Sequence, residues 1–331
     1  MREVLIIRFG ALGDLVLSTV LLDAMRVTGS PVRVTFVTKE RWGSLLESDP
    51  RIDELALLPD GASVRDLARR LHREYDLILD AHGNLRSRML CLHVRAQELR
   101  RLRKDTIARW LYRHGAPRPR ALQRRLIDRF LDLLELDGGG FRPRIHVESS
   151  AERIGVGVAI GATHEAKRWP LDRFAELIAR MASDGEPVTV IGGPGEERLI
   201  ADAVGDSGAE AWDPQRPLSD LAARVAGMRT VVGNDSGLLH LAEAVDTPVV
   251  GLFGPTVEAW GYFPWRSESR VLEHDLECRP CSKMGEKPCR LPEKICLTHT
   301  AVDAVRNAIA EVIDERRCCL LYTSDAADDV Y

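Results

Sequence analysis

No run of apolar residues in this 331-residue chain is long enough to cross a membrane as a helix; a span needs about 20 of them. The best N-terminal candidate, Val4 to Val20, is broken by Arg8 and Asp14. No long apolar stretch precedes a cleavage site, so a secretory signal is not expected. Cysteine is scarce, with seven in all, and the expected cytosolic setting keeps the thiols reduced rather than paired. A large net charge is also missing, at −4. What remains is an ordinary soluble composition, expected to be cytoplasmic and at most peripheral to the inner face of the cytoplasmic membrane.

The charge is unevenly placed. Between Arg86 and Arg129 stand fourteen Lys or Arg against Glu98, Asp105 and Asp128. Such a block attracts an anionic partner, whereas isolated charges usually mark solvated helix faces. Arg100, Arg101, Arg103 and Lys104 are expected to contribute most to that attraction. The length exceeds one ordinary core, so two domains are expected.

Strand-like and helix-like stretches alternate. Glu3–Ile7, Val32–Val37, Glu54–Leu58 and Tyr75–Asp80 read as strands. Helices are expected over about Leu15–Val27, after Ser63, near Thr106–Arg113 and over Leu122–Leu136. Gly138-Gly139-Gly140 and Pro143 approach a linker. The pattern then restarts with a strand at Ile154–Ile160, a helix at Leu171–Ala182, a strand at Pro187–Ile191 and helices at Glu196–Val204 and Leu218–Ala226. A final helix is expected at Ala301–Ile313. This alternation makes parallel, doubly wound sheets. The expected division is residues 1–150 as one domain and 151–316 as the other. Residues 317–331 resemble translated adaptor sequence and are set aside as a non-native tail.

The most informative stretch is Val231-Val232-Gly233-Asn234-Asp235-Ser236-Gly237-Leu238-Leu239-His240-Leu241-Ala242. It reads as a buried strand, a tight turn and a helix, with Asp235 or Ser236 as the cap. A second strand, Pro248–Phe253, ends in Gly254-Pro255-Thr256. Two polar, glycine-containing loops thus stand at the carboxyl ends of parallel strands, where open α/β sheets bind ligands. The free N–H groups of the helix start favour an anion such as a phosphate, and a capped helix with no ligand gives the same pattern. Cys278, Cys281, Cys289 and Cys296 are spaced C-x2-C-x7-C-x6-C, a candidate structural zinc site or a set of packed free thiols.

The stretch from Gly233 to Thr256 closely resembles the donor-site signature of glycosyltransferase family 9, the lipopolysaccharide heptosyltransferases. Two further motifs of that family stand in order: Arg8-Phe9-Gly10-Ala11-Leu12-Gly13-Asp14 and Lys167-Arg168-Trp169-Pro170. The resemblance spans roughly Met1 to Glu315. It implies a GT-B architecture, two Rossmann-like domains facing a central cleft. It also implies an inverting, metal-independent transferase with no required cofactor, an ADP-heptose donor and an anionic glycolipid acceptor such as a growing lipopolysaccharide core. No nucleic-acid partner is implied.

The resemblance assigns Asp14 as the base, although helix capping is its simpler use. It places Lys167 against the leaving diphosphate, where a solvated loop lysine is the plain alternative. Thr163, Asp235, Ser236, Gly237 and His240 fall to the donor, with Glu196 or Glu197 on its ribose. A buried structural histidine is the alternative at His240. Gly13, Asn84, Arg86 and Ser87 fall to the acceptor. Other readings are a family member with a different nucleotide sugar, a GT-B epimerase, or a non-catalytic protein that binds nucleotide sugar or anionic lipid. Intact Asp14 and Lys167 argue against the last.

Overall fold

The computed structural model describes residues 1–28, 31–72, 74–138, 140–148 and 152–325. The chain divides into two compact units. The first comprises Met1–Glu148 with Pro217–Ala222 and Ala259–Tyr262, and the second holds the remaining described residues.

In the first unit β1 (Arg2–Ile7) is buried from Val4 to Ile7, the continuous apolar run of a parallel strand covered on both faces. It is followed by α1 (Leu12–Ser18), α2 (Val20–Ala24), β2 (Val32–Lys39), β3 (Glu54–Leu58), α3 (Val64–Arg70), β4 (Glu74–Asp80), α4 (Leu85–His93), β5 (Arg95–Arg101), α5 (Thr106–Arg113) and α6 (Leu126–Leu131). The strands lie parallel in the order β3-β2-β1-β4-β5. The order reverses between β1 and β4, and the crevice outside the carboxyl ends at such a reversal is where these sheets take ligands.

The second unit repeats the plan. Along it run β6 (Val156–Ala159), α7 (Leu171–Ser183), β7 (Val188–Ile191), α8 (Glu197–Val204), β8 (Glu210–Ala211), α9 (Leu218–Ala226), β9 (Thr230–Asn234), α10 (Gly237–Ala244), β10 (Val249–Phe253), β11 (Arg270–Glu273), α11 (Ile295–Thr298) and α12 (Val302–Asp325). Its sheet is parallel in the order β11-β10-β9-β6-β7-β8, reversing between β6 and β9. Phe174, Leu177 and Ile178 of α7 and Val305 and Val312 of α12 bury their apolar stripes in one core with Val158, Val190, Val232 and Val250 of the sheet. The two α/β sheets are those expected from the alternation.

Several local expectations are corrected. The single helix over Leu15–Val27 is two helices and a 3-10 turn. The Ser18 and Thr19 hydroxyls donate to the Leu15 and Val16 carbonyls at 2.7 Å, a local alternative that breaks up the helical ladder. The helix over Leu122–Leu136 shrinks to α6 between two 3-10 turns. α4 and β5 were not expected at all. The last helix runs past Ile313: its backbone continues to Asp325 through part of the stretch set aside as a tail, and 326–331 lie outside the described residues.

Candidate functional site

The second unit gathers its polar groups at the β6/β9 reversal. Asn234 ends β9 fully buried, and its side chain spans the gap: its amide donates to the Ile160 carbonyl at 2.8 Å, and its oxygen accepts the Trp169 N–H at 2.8 Å. Trp169 is itself buried edge-on against Phe174, with its indole N–H on the Thr300 carbonyl at 3.1 Å. That anchor fixes the chain two residues after Lys167. The Lys167 ammonium then meets the Asp235 carboxylate at 2.6 Å, with side-chain exposures of 12% and 8%. The Thr256 hydroxyl, from the loop after β10, donates to the same carboxylate at 2.6 Å. Two residues predicted as separate donor contacts are therefore one buried ion pair. Gly285 lies over the lysine at φ +79°, and a Cβ there would stand 2.7 Å from Lys167 Cγ. Only glycine suits both that conformation and that closeness.

Ser236 occupies the cap position of α10 without a side-chain cap hydrogen bond, and Gly237 opens the helix. Neither side chain closes the helix start, so the first-turn N–H groups and the dipole are offered to an anion. His240 is buried one turn in, its ring stacked on Trp265 at 6.1 Å. That is the structural alternative rather than a side chain reaching out of the helix start. Glu196 is engaged internally: one oxygen takes Arg168 at 2.8 Å and the other the Gly193 N–H at 2.8 Å. Arg168 also donates to the Ala162 carbonyl, so this pair shapes the Gly161-Ala162-Thr163 loop and leaves Thr163 exposed.

In the first unit Asp14 sits in the first turn of α1, with Gly13 buried before it, and Ala11 holds the cap position. Asp14 is therefore not the cap. Its carboxylate takes the Arg8 guanidinium on one oxygen and the Tyr262 hydroxyl on the other, at 3.0 Å for the latter. Arg8 is buried and also donates to the Ala81 carbonyl at 2.6 Å. Burial, with the Asp14 charge beside it, pushes the Tyr262 phenol up, so it keeps its proton and donates. Arg8 stands in the same motif as Gly13 and Asp14, yet the sequence reading assigns it no role. Tyr262 stands 248 residues away and left no local signal.

Asn84 and Ser87 form a capping box at the start of α4: Asn84 Oδ1 accepts the Ser87 N–H at 2.9 Å and Ser87 Oγ the Asn84 N–H at 3.0 Å. Ser87 has no exposed surface, which removes it from the residues able to touch an acceptor. Arg86 remains exposed. The loop before it hangs on Asp80, whose carboxylate takes the His82 and Gly83 N–H groups and Arg101. The basic block is also less free than its count suggests. Arg100 pairs with Glu98 and Glu135, Arg101 with Asp80, Arg124 with Asp132 and Arg129 with Asp105. Three of these acids lie outside the stretch that was counted. Arg100, Arg101, Arg103, Arg124 and Arg129 line a groove of about 630 Å³.

His82 packs edge-on to Phe9 at 5.5 Å, and burial, followed by the Arg8 charge, depresses it to about 4. An unfolded histidine titrates near 6.5. Between those values the unfolded chain takes up a proton that the folded chain refuses, so stability is complete above about pH 6.5 and falls as pH drops toward about 4. His82→Gln should flatten this limb. Between about pH 7 and pH 5 the variant should lose roughly 2–4 °C less in Tm than the parent, which is what about 1 kcal/mol moves a cooperative unit the size of the first one. Parallel losses would show that His82 does not carry the dependence.

The four cysteines are free thiols, Cys278 exposed, Cys281 and Cys289 half-buried and Cys296 buried. Burial pushes Cys281 up, and Cys296 up to about 11, with the neighbouring thiols adding to both. Among the described residues no three His, Cys, Asp or Glu side chains are grouped to hold a metal.

A family model described as glycosyltransferase family 9 (heptosyltransferase) matches residues 64–290. Lipopolysaccharide heptosyltransferase 1 of Pseudomonas aeruginosa is 29% identical over 310 residues, covering 85% of this chain and 86% of that protein. The solved structure of the Escherichia coli ADP-heptose lipopolysaccharide heptosyltransferase II aligns with a TM-score of 0.73 at 18% identity, over 95% of this chain and 99% of that one. An E. coli heptosyltransferase with ADP-2-deoxy-2-fluoro heptose aligns with a TM-score of 0.68 at 20% identity, over 93% and 99%. The structural likenesses show the GT-B fold, and with the sequence match they establish that this chain belongs to glycosyltransferase family 9, the heptosyltransferases.

Proposed function

We propose that the chain transfers heptose from ADP-heptose to a growing lipopolysaccharide core or related glycan, with inversion and without a catalytic metal, at the inner membrane face. The observation that carries this reading is the Lys167–Asp235 pair beside the uncapped start of α10, at the strand-order reversal of the second unit. A cation and free N–H groups together suit a diphosphate. Relatives named as heptosyltransferases, one solved with an ADP-heptose analogue, support the choice of donor.

In this reaction the acceptor hydroxyl attacks the anomeric carbon on the side opposite the diphosphate. Its proton passes to the Asp14 carboxylate, which has about four lone-pair sites and gives one each to Arg8 and Tyr262. The anomeric C–O bond breaks with its electron pair on the diphosphate oxygen. Lys167 and the α10 N–H groups meet the charge that grows there, so no metal is required for it. Asp235 keeps Lys167 in place between turnovers.

The test is a thermal-shift panel followed by nucleotide-release kinetics. ADP-heptose should raise Tm by more than any UDP- or GDP-sugar, and ADP release should depend on acceptor and survive a chelator. Stabilisation by a UDP-sugar alone would overturn the donor, and loss of turnover with chelator, restored by a divalent cation, would overturn metal independence.

A further inference from the structure

Two helices of the first unit turn apolar faces to solvent. On α4, Leu85, Met89 and Leu92 are 75%, 45% and 82% exposed. At ~100° per residue they fall within about 60° of arc, a single stripe. On α5, which buries no residue, Ile107, Trp110 and Leu111 are 76%, 56% and 42% exposed. The helices leave the sheet from the carboxyl ends of β4 and β5, which are parallel neighbours, so both start on one edge. Lys104, just before α5, brings its Cε to 3.7 Å from the Cβ position of Gly83, just before α4. Exposed Arg86 and Arg88 flank the α4 stripe, and exposed Arg103 and Lys104 precede α5. No acidic residue lies within either helix.

We propose that α4 and α5 form a docking face for an anionic lipid bilayer. The six apolar side chains enter the boundary between headgroups and acyl chains, and the arginines and Lys104 meet lipid phosphates. Apolar stripes rimmed by cations on short helices are the makeup of segments that lie in a membrane surface. No described helix is long and apolar enough to cross one. A second copy of the chain fits this face less well, because a two-fold contact would set each cationic rim against its equal. The face includes the start of α4, so docking presents Asn84 and Arg86 there to lipid-anchored molecules.

The test is co-sedimentation of the full chain with vesicles of phosphatidylethanolamine and phosphatidylglycerol, and with phosphatidylcholine alone. Anionic vesicles should bind it and neutral ones should not, and added salt should weaken the binding by screening. Leu92→Asp with Ile107→Asp should lower the vesicle association constant at least about tenfold. Tm and the Tm shift produced by ADP-heptose should be unchanged, because those side chains are exposed and lie outside the second unit. Arg88→Glu with Arg103→Glu should abolish the preference for anionic vesicles. Equal binding by the parent and the Leu92/Ile107 variant, or by neutral and anionic vesicles, overturns the proposal. So does a concentration-dependent dimer lost in that variant without vesicle binding, which would assign the face to self-association. Failure of ADP-heptose to act as donor would leave these vesicle results untouched.

Discussion

Lys167→Ala should lower transfer turnover by about 10²–10³-fold, the usual cost of losing one preorganised contact to charge that develops in the transition state. The geometry adds a second effect that the sequence did not suggest. Lys167 is the counter-ion of a nearly buried carboxylate, Asp235, which keeps only the Thr256 hydroxyl from that set once the ammonium is gone. An uncompensated charge of this kind costs about 1–3 kcal/mol, so the variant should also melt lower. The two effects separate in the double variant Lys167→Ala with Asp235→Asn. Removing the stranded charge should recover much of the lost Tm, while turnover stays down because the diphosphate still lacks its cation. Lys167→Arg should not rescue, since the planar guanidinium is bulkier and Gly285 leaves no slack over the stem. Steady-state turnover and Tm on the same preparations decide the matter. Turnover that recovers along with Tm in the double variant would reduce Lys167 to a structural counter-ion.

The elements that were legible in the sequence are those whose burial is written in consecutive residues. β9 and β10 are buried throughout, carry the apolar runs Val231-Val232 and Val249–Phe253, and lead into glycine-containing loops, so their ends, and Asp235 and Ser236 with them, could be placed directly. β5 could not. It is an edge strand of sequence Arg-Ala-Gln-Glu-Leu-Arg-Arg, with only Ala96 and Leu99 apolar, and its charges are satisfied across the fold by partners such as Asp80. Propensity says little about a strand held by its neighbours. The same reason hid the site's supporting contacts. Lys167 and Asp235 were each visible, but a 2.6 Å pair between residues 68 apart is a tertiary fact. Asn84 and Ser87 form the capping box of α4, a use of those residues that the sequence pattern alone does not distinguish from contact with a ligand. The arginine block carries less net charge in the fold than in its window of sequence, because acids from outside the window, such as Asp80 and Asp132, pair with Arg101 and Arg124.

Asp14→Asn should produce the largest loss, about 10²–10⁴-fold in transfer, the range that positioned acid–base catalysis contributes. Asparagine has nearly the same shape but cannot take the acceptor's proton. The variant is not silent for the fold, because the carboxylate is also the partner of the buried Arg8 guanidinium, with Tyr262 on its other oxygen. Asn leaves that guanidinium with a neutral partner, so stability should fall by about 1–3 kcal/mol for a weakened buried charge, and Tm with it. ADP-heptose binding should hold, because the residues proposed to bind the donor lie in the second unit. Tyr262→Phe supplies the control for position. It removes one hydrogen bond to Asp14 but leaves both the carboxylate and the Arg8 pair, so its turnover should fall far less than that of Asp14→Asn. Donor affinity should be unchanged in Tyr262→Phe, and a lowered Tm with turnover equal to that of the parent would make Tyr262 purely structural. For Asp14 the decisive quantity is turnover per folded molecule, with donor affinity measured on the same sample. If the folded Asp14→Asn protein retains most of its turnover, Asp14 is a counter-ion for Arg8, and the proton must be taken by another group of the first unit.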